Sequence, residues 1–380
     1  MLYVHVPFCR QRCIYCDFYS TTSEQLQEGY LQAVERELCT RRDYLPRRTL
    51  SSVYIGGGTP STLGIEGLER LFRSIARSFT LDAATEVTVE LNPDDVSEEF
   101  ARRLRGLPVN RVSLGVQTFD DDELRLLRRR HTSRGAVEAV ERLCKAGFSN
   151  MSIDLIYGLP GQTRQMWQKD VRKALRLPVA HLSAYALSYE EGTVLQRMAE
   201  KGQIEKAGDE LCEQMYFDLL DRARAVGLVH YEISNFARPG FESRHNSGYW
   251  GDQTYLGVGP GAHSYNGTSR RWNKADLREY VERSEPSFEE EQLTPLMLRN
   301  EMVMKRLRTA EGLSLSDFSA RFGEEQTKEL LRLAAPHIER GMLRQTADGL
   351  VLTRSGLFVS DDIMSDLFLL SAPELGKEIG

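Results

Sequence analysis

Six short runs rich in β-branched residues recur through the first half of the chain, at residues 2–6, 52–55, 86–91, 111–116, 151–156 and 181–187. Between them, apolar residues return at helical spacing over 25–42, 65–79, 97–104, 120–129 with 134–146, and 164–175. Nothing else in the sequence restricts the fold as much, because strand–helix alternation of this kind builds parallel βαβ units. Gly147 and Pro178 follow two of the helical stretches, where helix stops belong. Six units fall short of the eight of a closed (β/α) barrel of about 250 residues. A partial six-unit barrel and a doubly wound sheet both fit, since alternation alone does not order the strands.

The first strand runs straight into three cysteines, Cys9, Cys13 and Cys16, spaced C-x3-C-x2-C, whereas Cys39, Cys144 and Cys212 are scattered. Three close thiolates suit an iron–sulfur cluster, since soft sulfur ligands favour such centres. A structural zinc site would want a fourth ligand and usually pairs of C-x2-C. His5 offers one, but it lies on the predicted strand just before the cysteines. One cluster with three singletons reads as a metal-binding cytosolic protein rather than a disulfide framework.

Other chemistry-bearing residues collect at the C-terminal ends of the predicted strands, the usual active-site edge of parallel α/β folds. The second strand ends in Gly56-Gly57-Gly58-Thr59-Pro60, where glycines allow a ligand close to the backbone. The third ends at Glu90-Leu91-Asn92-Pro93 and the fourth at Gln117, while Asp154 opens the stretch that runs into Gly158-Leu159-Pro160-Gly161. Glu90, Gln117 and Asp154 bear acceptors suited to ribose hydroxyls or an ammonium group, and Arg129 suits a carboxylate. The arginine-dense stretches 102–105 and 128–130 sit on predicted helices and read as solvated faces. With a formal charge of −6, nucleic acid is not expected as a partner. No run approaches the length of a membrane span and no signal peptide is evident, so the cytoplasm is expected.

Further on, a helix is expected over 209–226, then a strand and loop at 230–236. A polar-aromatic loop follows, Arg244-His245-Asn246-Ser247-Gly248-Tyr249-Trp250, which sets an imidazole beside flat aromatic faces. A porphyrin needs both, an axial donor and apolar walls. The proline-punctuated acidic stretch 285–291 reads as a linker. After it come a Met- and Leu-rich helix at 295–307, helices at 316–322 and 324–340, and strands at 342–344 and 349–352. A closing helix falls within 356–370. The organisation expected is a barrel with its extension over 1–272 and a small winged-helix-like domain over 273–380.

Tyr15 occupies the aromatic position of C-x3-C-x-aromatic-C, and with Tyr3-x-His5-x-Pro7-Phe8-Cys9 the stretch resembles the radical S-adenosylmethionine (SAM) superfamily. The resemblance implies an α/β fold, a partial (β/α)6 TIM-type barrel. It also implies a [4Fe-4S] cluster on Cys9, Cys13 and Cys16, whose open iron is chelated by SAM. Together with Gly56–Pro60, Gly115-Val116-Gln117 and Asp154–Gly161, the chain resembles the oxygen-independent coproporphyrinogen III oxidase family. That family contains the oxidase proper and a haem-chaperone branch.

Three features favour the chaperone branch: Phe18 stands where the oxidase carries a further cysteine, the oxidase's N-terminal extension has no counterpart before Tyr3, and His245–Trp250 matches H-N-x-x-Y-W. Carried over residue by residue, SAM would meet Tyr3, Gly57, Gly58, Thr59, Glu90, Gln117, Arg129 and Asp154, with Tyr15 or Phe18 near the adenine. His245 would ligate haem iron, Tyr249 and Trp250 would wall the porphyrin, and Asn246 would orient the loop. The function implied is haem delivery to an acceptor protein, with peripheral membrane contact only through that acceptor. The alternative is radical oxidative decarboxylation of coproporphyrinogen III to protoporphyrinogen IX.

Overall fold

The structure, a computed structural model, describes residues 1–370. It begins β1 (Leu2–Val6), α1 (Gln27–Thr40), β2 (Ser52–Gly57), α2 (Gly64–Ser78), β3 (Glu86–Leu91), α3 (Glu98–Arg105) and β4 (Arg111–Gln117). There follow α4 (Asp121–Leu126), α5 (Ser133–Lys145), β5 (Met151–Tyr157), α6 (Arg164–Ala174), β6 (His181–Ala186), α7 (Val194–Glu200) and α8 (Asp209–Ala225). The six expected strands are all present, and their bounds move by two residues at most. Threonine caps start α5 and α6, with Thr132 accepting from the Gly135 N–H and Thr163 from the Met166 N–H.

The strand order removes the ambiguity left by the alternation. After β7 (Val229–Glu232) come β8 (Asn235–Ala237), α9 (Arg244–Trp250) and β9 (Leu256–Val258), and the sheet contains the run β8-β6-β5-β4-β3-β2-β1-β9. Strands β1 to β6 are parallel and follow one another without reversal. A doubly wound sheet must reverse its order at a switch point, so the topology is that of a partial barrel. β9 adds a parallel strand beside β1, and β8 joins β6 antiparallel.

Side chains alternate across each strand. One set, including Val53, Ile55, Val87, Val89, Val112, Leu114, Ile153 and Leu155, is buried and apolar, as are the inner residues of the amphipathic helices, such as Leu68, Leu71 and Ile75 of α2. The other set is polar: Tyr54 bonds Glu90, Ser113 bonds Asp154, and Ser152 bonds His181 across neighbouring strands. Closed barrels of this kind fill that inner face with branched apolar side chains. Here it is a hydrogen-bonded polar lumen.

The chain divides into two compact units. The first comprises residues 1–229, 234–245 and 254–291, the second 230–233, 246–253 and 292 onward. The boundary expected at 272/273 falls inside β11 (Ser269–Asn273), which follows β10 (His263–Tyr265). The stretch read as a linker departs from expectation. After α10 (Leu277–Glu282), residues Phe288–Gln292 form β12, and β10-β11-β12 make a small sheet.

In the second unit lie α11 (Pro295–Leu307), β13 (Leu313–Ser314), α12 (Leu315–Phe322), α13 (Glu324–Glu339), β14 (Leu343–Gln345), β15 (Gly349–Leu352), α14 (Arg354–Leu357) and α15 (Ser360–Asp366). Met302, Val303, Leu307, Phe318, Leu330 and Leu350 form its core, so part of the methionine stripe packs inward. The two expected wing strands gain a third, in the order β13-β15-β14.

Candidate functional site

The cysteine loop is closed by its own backbone. Cys9 N–H donates to Thr21 O at 2.9 Å and Thr21 N–H to Pro7 O at 2.7 Å, while Phe8 is buried edge-on against Tyr30. The loop after β2 is bound directly to it, with Gly58 N–H donating to Val6 O at 2.8 Å and Thr59 N–H to Phe8 O at 2.7 Å. A Cβ on Gly58 would lie 2.7 Å from both Val6 O and Phe8 O and 3.1 Å from Cys9 Sγ, so only glycine fits. The Thr59 hydroxyl lies 3.6 Å from Cys9 Sγ.

Gly57 is equally constrained. Its φ is +103°, and a Cβ there would sit 2.4 Å from His5 Nδ1. His5 Nε2 lies 2.9 Å from Tyr19 O and must donate to it, so Nδ1 accepts from the Tyr3 hydroxyl at 3.0 Å. Gly57→Ala is expected to lower stability by about 2–4 kcal/mol through combined strain and overlap. Chemical denaturation measures this, and a loss below about 1 kcal/mol would mean the backbone relaxes freely.

Glu90 is half-buried at the C-terminal end of β3. Its carboxylate accepts from Tyr54 Oη at 2.6 Å and from Gly57 N–H at 3.1 Å, and burial pushes its pKa up to about 7. A cationic group beside such a carboxylate would favour its ionised form. Gln117 has a left-handed backbone, φ 71°, at a bulge between β4 and β5. Its Oε1 accepts from Tyr15 Oη at 2.6 Å and its Nε2 donates to Asp154 O at 3.2 Å. Asp154 sits deeper than the sequence reading placed it. It lies mid-strand in β5, opposite Gly115 and Ser183, and accepts from Ser113 Oγ, while burial raises its pKa.

Arg129 corrects the reading of residues 128–130 as a solvated helical face. α4 stops at Leu126, Arg128 turns left-handed with φ 57°, and Arg129 folds inward. Its Nη2 donates to Asn92 Oδ1 at 2.5 Å and Gly115 O at 2.6 Å, and its Nη1 lies 3.4 Å from Cys13 Sγ. Asn92 also donates to Thr59 Oγ1 at 3.1 Å. Asn92 therefore orients two expected ligand contacts, a role the sequence reading did not assign although it lies in the same strand-end stretch as Glu90. Phe18 is 59 % exposed.

The donor set fits a SAM-bound iron–sulfur cluster. Arg129 Nε is buried without a partner, as an anion-binding guanidinium is before its carboxylate arrives. Glu90 offers carboxylate oxygens of the kind an ammonium group needs. Burial raises the pKa of Cys9 and pushes Cys16 up to about 11, so these thiols need a metal to become thiolates. Among the described residues no three His, Cys, Asp or Glu side chains converge on a single-ion position.

His245 is not with this group. Its Nδ1 lies 2.8 Å from Ser52 Oγ and its N–H donates to Glu86 Oε1 at 3.0 Å. Ser52 and Glu86 are the first residues of β2 and β3, whereas the cysteines follow the end of β1, so about 17 Å of strand separates them. The imidazole is buried, rings with Tyr54 at 5.1 Å, and is held neutral by burial, with its pKa lowered to about 3. The expected loop is instead the helix α9. Glu86, which accepts from both the Arg244 and His245 N–H groups, provides the anionic cap that starts it. In the second unit, Asn246 Nδ2 donates to Tyr231 Oη at 3.4 Å, and Trp250 faces the Arg308 guanidinium at 5.1 Å. Tyr249 lies half-buried one residue before Trp250.

Comparison with known proteins places this arrangement. Residues 3–174 match the radical SAM superfamily and residues 293–359 the HemN C-terminal domain. The chain is 36 % identical to "Heme chaperone HemW" of Lactococcus lactis, covering 95 % of this chain and 97 % of that protein. It is 34 % identical to the protein of that name from Bacillus subtilis, over 95 % and 97 % of the two chains. For the Mycobacterium tuberculosis protein of that name the identity is 37 %, over 96 % and 94 %. The solved coproporphyrinogen III oxidase of Escherichia coli superposes with a TM-score of 0.84, covering 97 % of this chain and 89 % of that one. At 24 % identity that likeness establishes a shared fold. The chain belongs to the HemW family within the radical SAM superfamily.

Proposed function

We propose that this protein is a haem chaperone, which holds haem and a SAM-ligated [4Fe-4S] cluster and passes haem to an acceptor protein in the cytoplasm. The observation that carries this reading is near-full-length similarity, at 34–37 % identity, to three bacterial proteins named heme chaperone. No described helix is long and apolar enough to cross a membrane, which accords with membrane contact only through the acceptor. When loaded, the cluster and SAM supply one-electron chemistry. The chain's own residues bind and orient: Cys9, Cys13 and Cys16 hold iron, Arg129 and Asn92 receive the ligand's carboxylate, and Glu90 receives its ammonium. Tyr3, Gly57, Gly58 and Thr59 form the wall beside it, while Tyr15, Gln117 and Asp154, with Phe18, border the nucleoside.

The segment from His245 to Trp250 is assigned to haem. A neutral imidazole is the form that ligates iron, and burial holds His245 neutral. Coordination through Nδ1 would cost the bond to Ser52, so His245→Ala and Ser52→Ala separate the two roles. We expect His245→Ala to weaken haem binding at least about tenfold, read from the Soret band during titration of the reconstituted protein. Ser52→Ala, which keeps the imidazole, retains haem affinity. Unchanged haem affinity in His245→Ala overturns the ligand assignment. Anaerobic conversion of coproporphyrinogen III by the same preparation overturns the chaperone reading in favour of the oxidase.

A further inference from the structure

We propose that Glu123 is a positioning residue kept protonated, and that its proton locks the turn after β4 from which Gln117 and Arg129 reach the cysteine loop. Thr118 is fully buried, so every hydrogen around it must be matched to an acceptor within the protein. Its hydroxyl oxygen lies within hydrogen-bond distance of Glu123 Oε2, 2.7 Å from Asp170 Oδ2, and accepts the Asp120 N–H at 3.1 Å. A hydroxyl has one hydrogen and two lone pairs. One lone pair serves Asp120, the hydrogen serves one carboxyl group, and the other lone pair must meet a donor. Were both acids ionised, a carboxylate oxygen would face that lone pair in a buried place.

The remaining bonds say which acid carries the proton. Asp170 Oδ1 already accepts the Phe119 N–H at 3.0 Å, and Lys173 of the same helix faces Asp170, so Asp170 is the ionised partner. Glu123 Oε2 otherwise receives only Gln162 Nε2, at 3.3 Å, and its Oε1 is buried with no partner. An uncharged carbonyl oxygen tolerates that far better than a carboxylate oxygen. Glu123–H therefore donates to Thr118, and Thr118 donates to Asp170. Burial raises both acids, Glu123 to about 7 and Asp170 to about 6, in the same order. The charged groups facing Glu123 are Asp170 of α6 and Asp120 at the cap of α4.

This cluster grips what the site depends on. Thr118 follows Gln117, whose left-handed backbone needs an external restraint. α4 carries Glu123, and at its end Leu127 O accepts the Ile14 N–H from between Cys13 and Cys16, at 3.4 Å. Arg129 reaches Cys13 from the same segment. Gln162 Oε1 accepts the Gly158 and Leu159 N–H groups, which ties in the turn after β5. Effects on SAM rest on the assignment of Gln117 and Arg129 proposed above, whereas the protonation does not.

Glu123→Gln and Asp170→Asn in the full chain test both halves. The first readout is thermal unfolding of the metal-free protein against pH. The unfolded glutamate releases its proton near about 4.3 and the folded one near about 7, so in that window wild-type stability falls as pH rises. Glu123→Gln lacks this loss, and its Tm relative to wild type should climb between about pH 5 and about pH 8. Asp170→Asn frees the Thr118 hydrogen for Glu123 and moves the fall to lower pH. A Tm difference constant across the range overturns the protonated state.

The second readout is SAM affinity of the reconstituted protein by equilibrium dialysis. The wild-type to Glu123→Gln ratio of Kd should rise about 3- to 10-fold over the same range, and Glu90, titrating equally in both, cancels. A flat ratio overturns the positioning role. Absence of SAM binding in both proteins at every pH overturns the functional reading above, while the unfolding experiment still decides the protonation.

Discussion

Cys13→Ser is expected to abolish cluster retention and, with it, stoichiometric SAM binding, while the fold survives. Burial raises the pKa of its neighbours Cys9 and Cys16, so the protein supplies little of its own to stabilise thiolates. Iron does that work, and removing one of three ligands leaves two, on a loop whose backbone bonds are already complete. The effect should exceed the ~10–100-fold typical of losing a supporting partner of a metal ligand. Iron and sulfide analysis after anaerobic reconstitution measures it. Serine is nearly isosteric and can keep the polar contacts of Cys13 Sγ with Arg129 Nη1 and the Tyr15 side chain, so Tm should move by only about 1–3 °C. Cys144→Ser, at an exposed position on α5, is the matched control and should retain iron fully. Full iron stoichiometry in Cys13→Ser would remove Cys13 from the ligand set.

The second large effect concerns stability at Glu37. Its carboxylate is 1 % exposed and takes four donors: Arg41 Nη1 at 2.9 Å, Asn273 Nδ2 at 2.8 Å, Gly259 N–H at 3.0 Å and Tyr280 Oη at 2.7 Å. Arg41, itself buried, also donates to Gly257 O and Ser264 Oγ. Glu37→Ala leaves that guanidinium without its anion, and breaking a buried pair from one side costs about 3–5 kcal/mol. Urea denaturation of the full chain should show this loss. A change below about 1 kcal/mol would mean that the network rearranges around the gap. The effect should reach the cluster as well. Gly259 packs so closely on β1 that a Cβ would lie 2.5 Å from His5 O, and β9 pairs with β1 immediately before the cysteine loop. Reconstituted iron content is therefore expected to fall in Glu37→Ala, and to do so in step with stability.

Much of this architecture was readable from the chain in order. Runs of Val, Ile and Leu located β1 to β6 because burial on a parallel sheet demands them. The cysteine spacing located the metal loop because its ligands come from one continuous segment. The glycines at 56–58 were readable as a place of close approach, and the structure shows what approaches: Glu90, His5 and the backbone of β1. Less was readable where one residue's role is made by distant partners. Arg129 was readable as a candidate for a carboxylate, but the inward turn that takes it off an arginine-dense helical face became visible only when Asn92 and Gly115 O met it. Asn92 itself carried no signal beyond its neighbours. α9 looked like a loop because its cap, Glu86, lies far away in sequence. Residues 288–292 looked like a linker because an acidic edge strand has no apolar alternation to betray it.

The sequence alone determined the strand–helix alternation, the thiolate triad and the H-N-x-x-Y-W stretch, all of which are local and fixed by side-chain chemistry at short spacing. Tertiary structure decided the strand order, the polar lumen, the inward turn of Arg129 and the separation of His245 from the cysteines by the length of the strands. It also decided the sharing of one hydroxyl between Glu123 and Asp170. These are matters of which distant donors and acceptors meet once water is excluded, and a buried polar group takes its charge and its orientation from the partners it finds there.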